Sequence, residues 1–422
     1  MKTSFTAEQL ADPATATAAG AIRTCVHCSF CTATCPTYVL LGDELDSPRG
    51  RISLMKDMLE NERVPSAVEV KHIDRCLSCL ACTTTCPSGV DYMHLVDHAR
   101  AYIAERYRRP LGDRMMRWML ATVLPHPRRF RLALRLAAVG RLGAPLLGKG
   151  RLAAMLAMAP TRLATPVAVP RSDASGKRVV LLRGCAEPVL KPAYQAAAAR
   201  VLGRLGYAVV PAPGEACCGA LVHHLGHEAE ALASARRNVD AWTRVIEDGG
   251  LDAILVTASG CGTTIKDYGH LLRGDPDYAA KAARVSALAK DISELLADAD
   301  LPASAAPALT VAYHGACSLQ HGQKVTEAPK RLLARMGFAV RVPAEAHLCC
   351  GSAGTYNILQ PAIADRLGER KAAALDRLGA DVIATGNIGC AMQIGRRSAV
   401  PVVHVVELVD WAMGGPRPSV LA

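Results

Sequence analysis

Aromatic residues make up only 4 % of this 422-residue chain. Base-stacking nucleic-acid modules are built on them, so their scarcity argues against a nucleic-acid partner. Long apolar runs are missing too. The best candidate, LAAMLAMAP after Arg151, is too short to cross a bilayer. The opening MKTSFTAEQLADPATATAAG lacks a basic start followed by an apolar stretch, so it does not read as a secretory signal. No Gly-x-Gly-x-x-Gly follows a strand-like run, and no flavin fingerprint occurs, so hydride chemistry is expected on another chain. The expected setting is the cytoplasm.

Cysteine is what the chain has in excess, with 16. Without an export signal these read as reduced thiolates, hence metal or redox ligands rather than disulfides. The first eight fall into two runs of identical spacing. One is Cys25-Val-His-Cys28-Ser-Phe-Cys31-Thr-Ala-Thr-Cys35-Pro36. The other is Cys76-Leu-Ser-Cys79-Leu-Ala-Cys82-Thr-Thr-Thr-Cys86-Pro87. This is the two-cluster ferredoxin run, in which three close thiolates hold one cubane and the cysteine before proline serves the other. Cys25, Cys28, Cys31 and Cys86 are therefore assigned to one [4Fe–4S] cluster, and Cys76, Cys79, Cys82 and Cys35 to a second. Zinc is the competing reading, but it wants paired cysteines rather than four in series. Between the runs, SPRGRISLMKDMLE reads as an amphipathic helix, as in the helical ferredoxins of respiratory subunits. Arg49 and Arg51 are read either as neighbours of a cluster or as solvated arginines. His27 reads as a tolerated residue or a donor to a cluster sulfur.

The remaining eight cysteines lie in an internal repeat. RVVLL leads to Cys185, then come Cys217-Cys218-Gly219, then DAILVTASG leads to Cys261. LTVAYHGA leads to Cys317, then come Cys349-Cys350-Gly351, then DVIATGNIG leads to Cys390. The matching cysteines are offset by 132, 132 and 129 residues. Short β-branched runs alternate with Ala-rich helical stretches such as HEAEALASARRNVDAWTRVIED, the rhythm of an α/β layer with parallel strands. The cysteines follow strands or sit in turns, so they gather at one edge of such a sheet. Three readings stay open: a further cluster or metal, a quinone-facing redox domain without one, or buried structural thiols. His223, His224 and His227, with His314, His321 and His347, are candidate ligands or proton donors beside these cysteines.

Charge is uneven. Of a net +11, the span from Arg100 to Arg162 carries 14 Lys/Arg against two acids, Glu105 and Asp113. Arginine mixes there with Leu, Met and Ala at helical spacing. This is a membrane-surface element, a docking face for an acidic subunit, or helices packing two domains with snorkelling arginines.

In its double-cysteine halves the chain resembles the CCG domain of heterodisulfide reductase and of lactate- and glycolate-oxidising complexes. The full form of that pattern ends each half in Cys-x-x-Cys, whereas here the ends are Cys261-Gly-Thr-Thr264 and Cys390-Ala-Met-Gln393. As a whole it resembles the iron–sulfur subunits of bacterial glycolate oxidase (glycolate dehydrogenase). The stretches that carry this are CVHCSFCTATCPTYVLLGDELDSPRGRI, RCLSCLACTTTCPSGVDY, ACCGA, TASGCGTTIKDYG, HLCCGSAGTY and TGNIGC. The resemblance implies an α+β multidomain oxidoreductase subunit with no catalytic residues of its own. It implies a helical ferredoxin domain over 1–98, a basic helical segment and linker over 99–176, and CCG repeats over 177–300 and 301–422. Flavin-binding partner subunits would oxidise glycolate to glyoxylate, with D-lactate to pyruvate a second activity. This chain would pass the electrons to quinone, in peripheral contact with the inner face of the cytoplasmic membrane. The equivalent subunit of a D-lactate or glycerol-3-phosphate dehydrogenase, and a heterodisulfide-reductase-like enzyme, are the competing readings.

Overall fold

The structure is a computed structural model that describes residues 1–141, 150–160, 163–170 and 176–421. The chain begins with two helices, Ala7–Ala11 and Pro13–Thr24, where the sequence suggests one. The break falls at Asp12, which accepts from the backbone N–H of Thr15 and precedes a proline, so it caps a new helix rather than continuing the old one.

The helix Pro48–Glu60 fills the span expected between the two cysteine runs. Ser47 caps it through the Gly50 N–H, and Pro48 occupies its first turn. It packs with Ala67–Asp74 and Tyr92–Arg106 around Ile22, Met55, Met58, Ile73, Leu95 and Ile103, all fully enclosed. Cys25 and Cys76 belong to this same core. The cysteine loops are thereby anchored on helices, not left as surface loops.

Helices Leu111–Val123, Pro127–Gly140 and Arg151–Met158 make up the basic segment. Arg109 and Arg117 each reach Asp74, at 2.6 and 2.8 Å, and Arg117 also holds Asp113 at 2.9 Å. Leu120 and Ala121 pack on Val222, Leu225, Ile358 and Leu359. Packing between domains therefore accounts for one face of the segment. Its other face carries exposed Leu111, Met115, Trp118, Leu132, Leu136 and Val139 among exposed Arg114, Arg128, Arg129 and Arg135. Residues 163–170 form neither helix nor strand, as a linker reading expects. The segment's residues 142–149 and 161–162, and the linker's 171–175, lie outside the described residues.

The repeat folds as two four-stranded parallel sheets. The first contains β1 (Arg178–Leu181), β2 (Ala208–Val209), β3 (Ala253–Val256) and β4 (Ala289–Asp291), in the order β2-β1-β3-β4. The second contains β5 (Thr310–His314), β6 (Ala339–Arg341), β7 (Val382–Thr385) and β8 (Val402–His404), in the order β6-β5-β7-β8. β4 and β8 are additions to the sequence reading. They are three residues long and run straight into helices, so alternation is too brief to register. Side chains alternate along β1. Val179 and Leu181 join a core shared by both halves, while Val180 and Leu182 point to a core of the first half alone. In the shared core Ala197–Leu202 meet Val403, Val406 and Val409, so the two halves are packed back to back.

Candidate functional site

In each ferredoxin-type run the backbone turns left-handed at two matching positions. These are His27 and Ser29 around Cys28, and Ser78 and Leu80 around Cys79, with φ of 56°, 73°, 49° and 60°. Residues with a side chain adopt this conformation at a cost, and here four do so in one repeated pattern. The alternation curls the chain so that thiols two residues apart turn to one side. Cys25, Cys28, Cys31, Cys82 and Cys86 line a common cavity with Arg49 and Tyr92. Cys86, from the other run, thus joins the first three. Cys79 and Cys82 have Cys35 as a charged neighbour, and Cys82 also has Cys76. Cys82 lines that cavity too, and Cys31 has both Cys35 and Cys86 as neighbours, so the eight thiols are gathered together without their contacts dividing them into two sets of four.

Burial, reinforced by the surrounding thiols, raises Cys79 and Cys82 and pushes Cys31 up to about 11. Without a metal these groups stay protonated, and binding one must expel the protons. Two serial runs of four thiols gathered from tightly curled loops fit iron–sulfur cubanes better than zinc, whose structural sites use two separate Cys pairs.

Arg51 is the neighbour that spacing left undecided. It is 1 % exposed, and its guanidinium lies 3.8 Å from Cys35 Sγ. It also donates to His72 O at 2.7 Å and Thr37 Oγ1 at 3.0 Å, and it pairs with enclosed Asp46 at 3.3 Å. Asp46 in turn receives Arg75 at 2.7 Å and the His72 ring at 3.0 Å. Burial works against the charge on Arg51, yet Cys76, Tyr92, Cys35 and Asp46 hold its pKa above the ordinary range. Arg49, by contrast, pairs with Glu44 at 2.6 Å and holds the first run through Ser29 Oγ. His27 lines the cavity of the first cysteine run, and its ring nitrogen meets Met1 Sδ at 2.7 Å.

In the double-cysteine halves the four cysteines of each converge. Cys185 and Cys217 stand 3.6 Å apart, and Cys218 has both Cys217 and Cys261 as hydrogen-bonding neighbours. In the second half Cys349 has Cys317 and Cys350 as partners, and Cys350 has Cys390. Hydrogen bonds from neighbouring thiols hold Cys217 and Cys350 low, while the partners Cys185, Cys218, Cys349 and Cys390 are pushed up. The turn is tight because Gly351, at φ +84°, sits where an added Cβ would lie 2.6 Å from Ala364 O.

The halves differ around these thiols. His314, at the end of β5, is fully enclosed with Cys350 and Cys390, and neither ring nitrogen has a hydrogen-bond partner. Leu182 occupies the corresponding place after β1. Lys371 donates to Glu345 O at 2.6 Å, and burial lowers its pKa although all four cysteines of the second half oppose the shift. Sequence reading found His314 but missed Lys371, which looks in the sequence like any lysine of a helix. The other histidines serve elsewhere. His321 bridges Thr84 Oγ1 at 2.7 Å and His347 O at 3.2 Å, and His227 pairs with Glu230 at 3.1 Å. His223 and His224 face Asp97 instead.

The two kinds of cysteine group meet at one place. Cys79 and Cys317 belong to one packed cluster with Leu77, Cys349 and Tyr356, and Cys317 is among the thiols that push Cys79 up. The helix Ala81–Thr85 of the second run abuts the π-helical turn Ser318–Gly322, and that turn abuts the helix Ser259–Lys266 bearing Cys261.

Comparison with known proteins gives this arrangement its class. Residues 21–90 match the 4Fe-4S dicluster domain family, and residues 179–266 and 311–395 each match the Cysteine-rich domain family. This is an iron–sulfur protein with a duplicated cysteine-rich domain. The glycolate oxidase iron–sulfur subunit of Escherichia coli (strain K12) is 43 % identical over 98 % of this chain and 99 % of its own. The probable glycolate oxidase iron–sulfur subunit of Bacillus subtilis (strain 168) is 31 % identical over 94 % and 95 %. Lactate utilization protein A of Geobacillus kaustophilus matches at 28 % over 51 % of this chain and 90 % of its own. A hypothetical protein from Helicobacter pylori shares the fold, with a TM-score of 0.52 at 10 % identity over 88 % of this chain and 74 % of its own. The chain belongs to the family of glycolate oxidase iron–sulfur subunits.

Proposed function

We propose that this chain is the electron-carrying subunit of a glycolate oxidase, collecting electrons from flavin-binding partner subunits and delivering them towards quinone. The observation that carries the reading is the contact of Cys79 with Cys317, which puts a ferredoxin-type cysteine set against a double-cysteine half. The near full-length likeness to a glycolate oxidase iron–sulfur subunit supports the choice of substrate.

Residues 1–98 form the ferredoxin domain in this proposal, 99–176 the basic segment, and 177–300 and 301–422 the two CCG halves. Cys25, Cys28, Cys31 and Cys86 hold one [4Fe–4S] cluster, and Cys76, Cys79, Cys82 and Cys35 the other. Cys185, Cys217, Cys218 and Cys261, with Cys317, Cys349, Cys350 and Cys390, are candidates for further iron–sulfur ligation. The clusters, when bound, supply one-electron storage and relay. Arg51 offers positive charge to the Cys35 side of the second set. Exposed Val26, Cys28 and Phe30 give the first set an open apolar rim for a flavoprotein to cover.

The finer part of the proposal is the membrane. Among the described residues no helix is long and apolar enough to cross one. The outer face of Leu111–Val123 and Pro127–Gly140 pairs exposed Trp118, Leu132 and Leu136 with exposed arginines. That chemistry suits an anionic lipid surface, the place where quinone is dissolved.

The test is to purify the chain with its flavoprotein partners without oxygen, measure iron and sulfide, and record EPR after adding glycolate, D-lactate or glycerol 3-phosphate. Reduced cubane signals with glycolate support the proposal. Zinc without sulfide, or reduction by another substrate alone, overturns it.

A further inference from the structure

Where the ferredoxin helix Tyr92–Arg106 meets the first cysteine-rich half, three side chains converge that have no part in the cysteine groups. His224 Nδ1 lies 3.6 Å from Asp97 Oδ1, and His223 Nδ1 lies 3.9 Å from Asp97 Oδ2. All three offer a donor atom within 4.8 Å of the others. Asp97 is 9 % exposed, and both its Oδ1 and His224 Nδ1 are enclosed with no hydrogen-bond partner. His223, His224 and Arg100 favour the charge on Asp97, but none of them closes a short hydrogen bond to its enclosed Oδ1.

The separations themselves point to an occupant. They are too long for direct hydrogen bonds. Ligands about 2.0–2.1 Å from a tetrahedral zinc stand about 3.4 Å from one another, so the 3.6 and 3.9 Å approaches and the 4.8 Å span of the three donors need only a small inward adjustment to hold one ion. Two imidazoles and one carboxylate are a borderline donor set that leaves a coordination position open. Arg100 lies 3.6 Å from Asp97 Oδ1 and is also engaged elsewhere. It donates to Ser78 Oγ at 2.5 Å and to Cys76 O at 2.7 Å. The surrounding seam is tightly packed. Gly226, at φ +86°, comes so close to this helix that an added Cβ would sit 2.5 Å from Arg100 O.

We propose that Asp97, His223 and His224 form a divalent transition-metal site, taken by zinc, that ties the helix Tyr92–Arg106 to the first cysteine-rich half. His224 also lines the seam cavity that reaches Cys76 and Tyr356, so the open position of the ion is accessible from that cavity.

The experiment uses the full chain, purified without oxygen with its iron in place, loaded with zinc and freed of excess by gel filtration. About one zinc per chain is expected, with a K-edge absorption shell of nitrogen and oxygen at about 2.0–2.1 Å and no sulfur at about 2.3 Å. His224→Ala and Asp97→Asn should weaken zinc binding at least tenfold at unchanged iron. His224→Cys should keep the zinc and add one sulfur to its shell, a change that a merely structural role does not produce. Absence of zinc, a sulfur shell in the wild-type protein, zinc retained by both substitutions, or no sulfur in His224→Cys each overturns the proposal.

Discussion

Replacing Arg51 by glutamine removes a fully enclosed guanidinium beside Cys35 Sγ while keeping a donor of similar reach. Asp46, Arg51 and Arg75 together carry a net charge of +1, which the substitution cancels. At about 4 Å and an effective dielectric constant of about 20, two unit charges interact by about 4 kcal/mol. Arg51 lies 3.8 Å from Cys35 Sγ, but an added electron spreads over the whole cubane. A share of about 1–2 kcal/mol is therefore reasonable, equivalent to about 40–90 mV for a one-electron couple. The cluster held by Cys76, Cys79, Cys82 and Cys35 should fall in potential by that amount, and the other by much less. Removing one partner of a buried pair also costs about 3–5 kcal/mol of stability, so thermal unfolding should come earlier. The assay is an EPR-monitored redox titration at matched iron content. A second-cluster potential within about 10 mV of wild type, or a rise, would refute the electrostatic reasoning.

Four other outcomes follow from the same structure. Cys35→Ala should remove about half of the ferredoxin iron and abolish the cluster of the second run while sparing the first, as Mössbauer or EPR spectra would register; loss of the first cluster instead would mean the fourth cysteines do not cross. Gly351→Ala should lower stability by about 1–3 kcal/mol, measured by urea unfolding, because it strains a left-handed φ and drives a methyl into Ala364 O. His94 bridges Asp91 at 2.6 Å and Asp267 at 2.9 Å; burial opposes its charge, but the two carboxylates push its pKa up to about 10 from 6.5. Its stabilising contribution is then complete below pH 6.5 and lost as pH rises through 10, so the melting-temperature gap between wild type and His94→Gln should shrink over that window. Trp118→Ser and Leu136→Ser should each weaken binding to anionic vesicles about fivefold, about 1 kcal/mol apiece, with binding falling as salt rises.

Much of this was written in residue spacing. The two cysteine runs, the repeat and the strand before each cysteine could be read because thiol spacing and β-branched runs are local signals. The helix Pro48–Glu60 was legible from its proline start and its period. Contacts between distant segments were not. Nothing near Arg51 in the chain announces that Asp46 and His72 will enclose it, and Lys371 gains its place only when its helix packs over Glu345. Asp97 and His224 belong to separate domains, and only the folded seam joins them. The basic segment packs between distant parts of the chain, as one of its three readings has it, but Arg109 and Arg117 do so as enclosed ion pairs with Asp74 rather than with heads in water.

The shared core of the two cysteine-rich halves has a consequence for how the chain is made. Ala197–Leu202 leave the ribosome long before Val403 and Val406, their partners. Until then the first half carries a bare apolar face, and Cys79 has no Cys317 to cover it. The nascent chain is thus stickiest when its second cluster set is most open. Covering of Cys79 therefore waits on synthesis of the second half, whose Cys317, Cys349 and Tyr356 supply that packing.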